Sequence, residues 1–291
     1  MQKELKVLDG GMGGELIARG IMPSNGLWSA RALLDSPDAV MEVHTDYIKA
    51  GAEIITTNSY STIPSYLAKA GMSERYEDLT DVAAKMARTA ADAASSKVEV
   101  AGCLPPLSES YRHDLVPLDA EGFEVYKNLV TVLKPSVDLY LCETMSCARE
   151  AANAAKAARA VDAEKPVWIA WTLDETPGGG LRSGESIEEA IAAVAPYSPD
   201  AYLFNCTAPE AISVAIEQIV KLTDKPVGAY PNRYHIPSGW TLDNEIGTEY
   251  IEMTVDEFMQ YVDRWRAMGA TVLGGCCGIG PSFIAAIAAS R

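Results

Sequence analysis

Three cysteines stand where apolar runs end. Cys206 follows Asn205, and Cys276 and Cys277 sit inside Gly274-Gly275-Cys276-Cys277-Gly278. Thiolates are the soft ligands that zinc prefers, and three of them leave one tetrahedral position open. An open position separates a zinc that does chemistry from one that only holds a fold. The charge of the set predicts which chemistry. Hydrolytic sites mostly use neutral histidines, which keep the ion electrophilic enough to acidify bound water. Three thiolates give the complex a net negative charge and make it a poor activator of water. Such an ion still takes a substrate thiol into the open position and holds it as a nucleophilic thiolate. The expected reaction is attack of that thiolate on an electrophilic carbon. A fourth ligand from Cys103, which also ends an apolar run, is the structural alternative. Cys142 and Cys147 read as inert small hydrophobes.

The elements that must position these residues follow from the hydrophobic pattern. Near-continuous apolar runs cover 5–9, 53–58, 98–103, 137–143, 167–173, 201–206, 227–231 and 271–276. Such runs are expected of parallel strands covered on both faces. Amphipathic, alanine-rich segments alternate with them, at 37–50, 73–95, 121–133, 147–161, 186–195, 209–222, 254–268 and 281–289. Pro37 and Pro281 suit first helical turns, and Thr254-Val255-Asp256-Glu257 reads as a capping box. Eight strand–helix units predict an α/β fold, a (β/α)8 TIM barrel, with one domain over 1–291. The cysteines then lie at strand C-termini, on the rim where barrel enzymes build their sites. Consecutive strand residues face opposite ways, so Cys276 and Cys277 cannot share an ion from a regular strand. The flanking Gly274, Gly275 and Gly278 are expected to break the strand and re-aim both thiols. Long or glycine-rich loops follow strands one, three, five and seven, on that same rim.

Composition bounds the partners. The 291 residues carry a formal net charge of −16, which argues against nucleic acid and anionic membrane surfaces. No apolar stretch is long enough to span a bilayer, and the N-terminal residues form no apolar signal segment. Adjacent cysteines pair poorly with each other, so a reduced, cytoplasmic protein is expected.

Beyond the cysteines, further stretches carry a family resemblance. They are Leu8-Asp9-Gly10-Gly11-Met12-Gly13, Leu27-Trp28-Ser29, His44-Thr45-Asp46-Tyr47, Thr57-Asn58-Ser59-Tyr60 and Tyr230-Pro231-Asn232. With Asn205-Cys206 and Gly275-Cys276-Cys277-Gly278, they make the chain resemble the homocysteine S-methyltransferases over essentially its full length. The resemblance implies Zn²⁺ held by Cys206, Cys276 and Cys277, with the homocysteine sulfur as fourth ligand. Asp9 and Glu143 both end strands and either meets the substrate ammonium; by resemblance, Glu143 is favoured. Backbone N–H groups at Gly10 and Gly11 are expected to cradle the carboxylate, and Thr57 and Asn205 to complete the amino-acid pocket. Family donors are sulfonium or quaternary ammonium compounds, or methyl-folate acting through cobalamin. Trp28 and Tyr60 are candidates for cation–π contact with such a donor, with Trp171 and Trp240 behind them. Gly14 stands where family members often carry Thr, and Arg233–Pro237 and Cys103 have no counterpart in the family pattern.

The expected activity is methyl transfer from an activated donor to homocysteine, giving methionine, with small molecules as the partners. Three rival readings remain open in the sequence. The acceptor is another thiol or a selenol such as selenohomocysteine, or the donor a methyl-corrinoid protein. The glycine-rich turn before Pro281 binds phosphate in a different barrel enzyme. The cysteines form a non-catalytic zinc-binding module.

Overall fold

The computed structural model describes residues 4–21, 27–241 and 246–291. Part of the long seventh loop, at 242–245, therefore lies outside the described residues. The chain runs through β1 (Lys6–Val7), α1 (Met12–Ala18), α2 (Ala30–Asp35), α3 (Pro37–Lys49), β2 (Ile54–Thr56), α4 (Pro64–Ala68), α5 (Tyr76–Asp92), β3 (Glu99–Leu104), α6 (Asp119–Leu133) and β4 (Leu139–Met145). It continues through α7 (Ala148–Val161), β5 (Val167–Trp171), α8 (Ile187–Val194), β6 (Ala201–Asn205), α9 (Pro209–Ile219), β7 (Val227–Tyr230), β8 (Tyr234–His235), β9 (Glu249–Tyr250), α10 (Val255–Met268), β10 (Val272–Leu273) and α11 (Pro281–Ala289).

Eight strands pair in the order β1-β10-β7-β6-β5-β4-β3-β2, all parallel. A parallel bridge between Leu8 and Ile54 joins the two ends of that sheet. Asp9 N donates to Ile54 O at 3.0 Å and Glu53 N to Val7 O at 2.8 Å, which closes the expected (β/α)8 barrel. Side-chain alternation then sorts the strands into two layers. Leu8, Ile54, Leu139, Leu141, Leu203 and Val272 fill the barrel interior. Residues of opposite parity, such as Ile55, Cys142, Phe204 and Leu273, pack outward against the helices. Cys142 is accordingly a core residue.

Local signals explain the helix ends. Thr254 Oγ1 accepts from Glu257 N at 3.2 Å, and Glu257 Oε2 accepts from Thr254 N at 2.8 Å, completing the anticipated box. Ser186 and Glu189 form a second one. Gly269, at φ 110, ends α10 in the left-handed conformation. Three short helices escape the periodicity: α1, α2 and α4 each have too few turns to show a repeat. The first of them matters, because Gly10–Gly14, read as a loop, already enters α1 at Met12. The seventh loop likewise holds the β8–β9 hairpin, with Tyr234 opposite Tyr250.

Candidate metal centre and substrate cavity

The three cysteines converge. Cys206 Sγ lies 2.8 Å from Cys276 Sγ and 3.9 Å from Cys277 Sγ, and the last two sulfurs are 4.0 Å apart. A tetrahedral zinc with bonds of about 2.3 Å asks for sulfurs about 3.8 Å apart. Two of the three separations already match, and the third needs only a small opening. Among the described residues, no other group of three or more metal-ligating side chains is drawn together. Cys103 is not part of the cluster; its thiol sits beside Glu143.

Backbone geometry explains the convergence, partly in a way the glycines do not announce. Cys206 has the outward parity of Phe204, so a regular strand would turn it away from the mouth. Its own φ of 51 breaks the strand and swings the thiol inward. Cys276 and Cys277 open a tight turn, with Ile279 N donating to Cys276 O at 3.1 Å. Gly278 takes the third position at φ 81, where glycine is required. Gly274 and Gly275 act differently from expectation: neither has positive φ, and both are needed for close packing. A Cβ at Gly274 would lie 2.5 Å from Leu8 Cβ and 2.8 Å from Asp9 O. Gly274→Ala is therefore expected to cost about 2 kcal/mol and lower Tm by several degrees. Thermal unfolding followed by circular dichroism checks this.

The electrostatics of the cluster suit a cation. Hydrogen bonds from Cys206 and Cys276 hold the Cys277 thiol well below its usual range. The same contacts, with burial, push Cys276 well up. Three buried thiols this close oppose one another's ionisation, and a divalent cation between them removes that opposition.

The cluster forms one wall of a cavity of about 350 Å³. Asp9 and Glu143 line it, both buried. Glu143 has the interior parity of Leu139 and Leu141, which aims it up the barrel axis. Tyr230, likewise interior, donates its hydroxyl to Glu143 Oε2 at 3.2 Å. Burial pushes Glu143 up to about 7 and Asp9 up to about 8. Both Asp9 oxygens are engaged, with Thr56 N at 2.8 Å and Thr56 Oγ1 at 3.1 Å. No lysine, arginine or histidine is among the described residues lining the cavity. Two buried acids without a resident counter-ion favour a cationic ligand.

The other candidates divide. Thr57 lines the cavity, but its hydroxyl bonds to Ser59 Oγ at 2.8 Å and receives Cys103 N at 3.0 Å. Asn205 does not line it; its amide clamps Thr144, accepting from Thr144 N at 2.9 Å and donating to Thr144 Oγ1 at 2.8 Å. That clamp holds Thr144 at φ 61, beside Glu143, so Asn205 supports the pocket rather than completing it. Gly10 and Gly11 line the cavity, but Gly11 N is spent on Ile279 O at 3.1 Å. Trp28 and Tyr60 line it too, and the Trp28 indole packs over Gly13. Trp171 is instead fully buried against Tyr202, whereas Trp240 lines the cavity. Tyr66, Tyr111, Tyr230 and Tyr234 add to the wall, and the sequence assigns none of them a role in the site, although Tyr230 stands in a stretch that carries the resemblance. The period-two pattern of β7 is the signal that points Tyr230 inward.

Comparisons with known proteins identify the family. The chain matches the family model described as homocysteine S-methyltransferase over residues 6–290. It is 30% identical to the homocysteine S-methyltransferase of Escherichia coli strain K12, covering 99% of this chain and 96% of that protein. It is 31% identical to a selenocysteine Se-methyltransferase of Brassica oleracea var. italica, covering 97% and 87% respectively. The metallated form of the homocysteine methyltransferase MmuM from Escherichia coli superposes with a TM-score of 0.83 at 28% identity, covering 99% of this chain and 97% of that one. Among the described residues, no helix is long and apolar enough to cross a membrane. Match and barrel together establish that the chain belongs to the homocysteine S-methyltransferase family and is a methyltransferase.

Proposed function

We propose that this enzyme moves a methyl group from a cationic donor, a sulfonium or a quaternary ammonium compound, to the thiol of homocysteine, with Zn²⁺ as its metal. The observation that carries the reading is the convergence of Cys206, Cys276 and Cys277 on a cavity holding two buried acids and, among its described lining residues, no basic side chain. When bound by those cysteines, zinc keeps the acceptor sulfur deprotonated at neutral pH. Glu143, oriented by the Tyr230 hydroxyl and the Cys103 thiol, takes the acceptor ammonium, and Asp9 adds its field from the same wall. Backbone N–H groups of the Gly10–Gly14 segment other than Gly11 receive the carboxylate. Thr57 fixes Ser59 and the end of β3 behind them.

The aromatic faces of Trp28 and Tyr60 hold the donor cation against an apolar wall that excludes water. The acceptor sulfur forms its bond to the methyl carbon as the donor's bond to that carbon breaks. The bonding pair stays on the donor heteroatom, so no proton moves to or from the methyl group, and positioning carries the rate. The departing donor has lost its positive charge and with it the cation–π attraction. Trp28→Leu is therefore expected to raise the donor KM about tenfold and leave the homocysteine KM unchanged. Initial rates with each substrate varied check this.

A panel of S-methylmethionine, S-adenosylmethionine and betaine, assayed for methionine with and without a zinc chelator, tests the reading. Turnover with at least one donor, lost on chelation, supports it. Turnover only with a methyl-corrinoid protein overturns the donor assignment, and indifference to the chelator overturns the metal. A selenol acceptor is the second reading, favoured by the similarity to the Brassica Se-methyltransferase. Selenocysteine and selenohomocysteine in the same assay decide it.

A further inference from the structure

The loop after β3 brings Tyr111 to the cysteine cluster, where its hydroxyl oxygen lies 3.0 Å from Cys206 Sγ. The approach is held from several sides. Tyr111 has a φ of 66, a left-handed conformation rare for an aromatic residue, so the surroundings must over-determine it. The Arg182 guanidinium stands 5.0 Å from the centre of its ring, and the Trp240 ring meets it edge-on at 5.6 Å. Arg182 is itself fixed, donating to Ile236 O at 2.8 Å and to Glu175 Oε1 at 2.7 Å. Glu175 Oε1 also accepts from Ile236 N at 3.2 Å. The loops after β3, β5 and β7 are thus tied into one strap that ends on the sulfur of a metal-ligating cysteine.

The geometry points to Tyr111 as a positioning residue of the metal centre, donating its O–H to the Cys206 thiolate. This rests on the zinc reading above. A thiolate carries no proton, so the phenol is the donor in the loaded enzyme. The bond fixes the direction of the Cys206 sulfur, whose kinked backbone alone does not. It also lowers the energy of the sulfur lone pairs, tempering how strongly that ligand donates to the metal. Partners of this kind, one step behind the ligands, typically govern metal affinity by about 10- to 100-fold.

The test uses Tyr111→Phe, which keeps the ring between Arg182 and Trp240 and removes only the hydroxyl. Full-length wild type and variant are loaded with Co²⁺, and the sulfur-to-cobalt charge-transfer band is recorded. Zn²⁺ affinity is measured by competition with a chromophoric chelator. Tyr126→Phe is the control, because it deletes a buried hydroxyl bonded to Pro105 O at 2.9 Å, near Cys103, Cys142 and Cys147 rather than the three converging cysteines. The expected result is a band displaced to longer wavelength and Zn²⁺ affinity weakened about tenfold or more in Tyr111→Phe, with neither change in Tyr126→Phe. An unchanged band and affinity in Tyr111→Phe overturn the inference and leave the metal reading standing. A wild-type chain that takes up neither Co²⁺ nor Zn²⁺ overturns both. If Tyr111→Phe fails to fold, Arg182→Lys keeps the charge opposite Glu175 but frees the tyrosine ring. A displacement in the same direction then supports the inference, and none overturns it.

Discussion

Replacing Cys276 by alanine is expected to abolish stoichiometric zinc and to lower methionine formation by about three orders of magnitude or more. The size follows from what the metal supplies. Holding the acceptor as a thiolate at neutral pH and fixing it beside the donor is worth several kcal/mol, and each 1.36 kcal/mol is a factor of ten. With Cys276 gone, Cys206 and Cys277 remain as a pair of sulfurs 3.9 Å apart. Two thiolates at an otherwise open cavity do not retain zinc against ordinary competition. The fold should survive, because Cys276 is only half-buried and the turn it opens is made by backbone groups. Metal content by elemental analysis, methionine formation and circular dichroism on the same preparation separate these effects. Cys142→Ala is the matched control: that thiol packs in the outer layer and should leave metal and rate unchanged. Full activity in Cys276→Ala would sink the proposed mechanism.

That the cysteines could be picked out in advance, while their neighbours could not, has a physical basis. Strand ends in a parallel barrel are marked by long apolar runs, so a polar or thiol residue closing such a run stands out. Cys206, Glu143 and Asp9 all announce themselves in this way, and so do all eight strands. What the pattern does not carry is the conformation at the break. Nothing in Phe204-Asn205-Cys206 shows that the cysteine itself takes a left-handed φ, and the glycines near Cys276 invited a conformational role that only Gly278 fills. Asn205 failed as a pocket residue for a related reason. Its interior parity is correct, but a neighbour with positive φ, Thr144, captures its amide first. Tyr111 falls in the rim loop after strand three, but its contact with Cys206 is illegible because a loop has no period; its place depends on Arg182 and Trp240, far away in sequence.

Glu143→Gln should raise the KM for homocysteine roughly 30- to 150-fold, the loss expected when a buried charge pair worth about 2–3 kcal/mol is broken. Of the two acids in the cavity, Glu143 is the one on the barrel axis, held there by the Tyr230 hydroxyl and the Cys103 thiol. Asp9 has both oxygens committed to Thr56, so Asp9→Asn should weaken acceptor binding less. A thiol of the same length lacking the amino group should bind Glu143→Gln and wild type alike, which assigns the loss to the ammonium. The pH dependence carries the same signature. Burial raises Glu143 from 4.5 to about 7, so below that pH the free enzyme presents a neutral carboxyl. The kcat/KM for homocysteine should therefore climb as pH rises through about 7, with a smaller further rise near 8 as Asp9 ionises, and Glu143→Gln should lose the first limb. Stability moves the other way. A carboxyl whose folded value lies above its unfolded one opposes folding once it ionises in the unfolded chain, so this cost grows as pH rises from 4.5 to about 7. Glutamine removes that cost and still accepts the Tyr230 hydroxyl. Glu143→Gln should thus unfold at an equal or higher temperature than wild type at pH 8 while binding its acceptor far more weakly. A variant that lost stability and affinity together would mark Glu143 as a structural acid rather than the ammonium's partner.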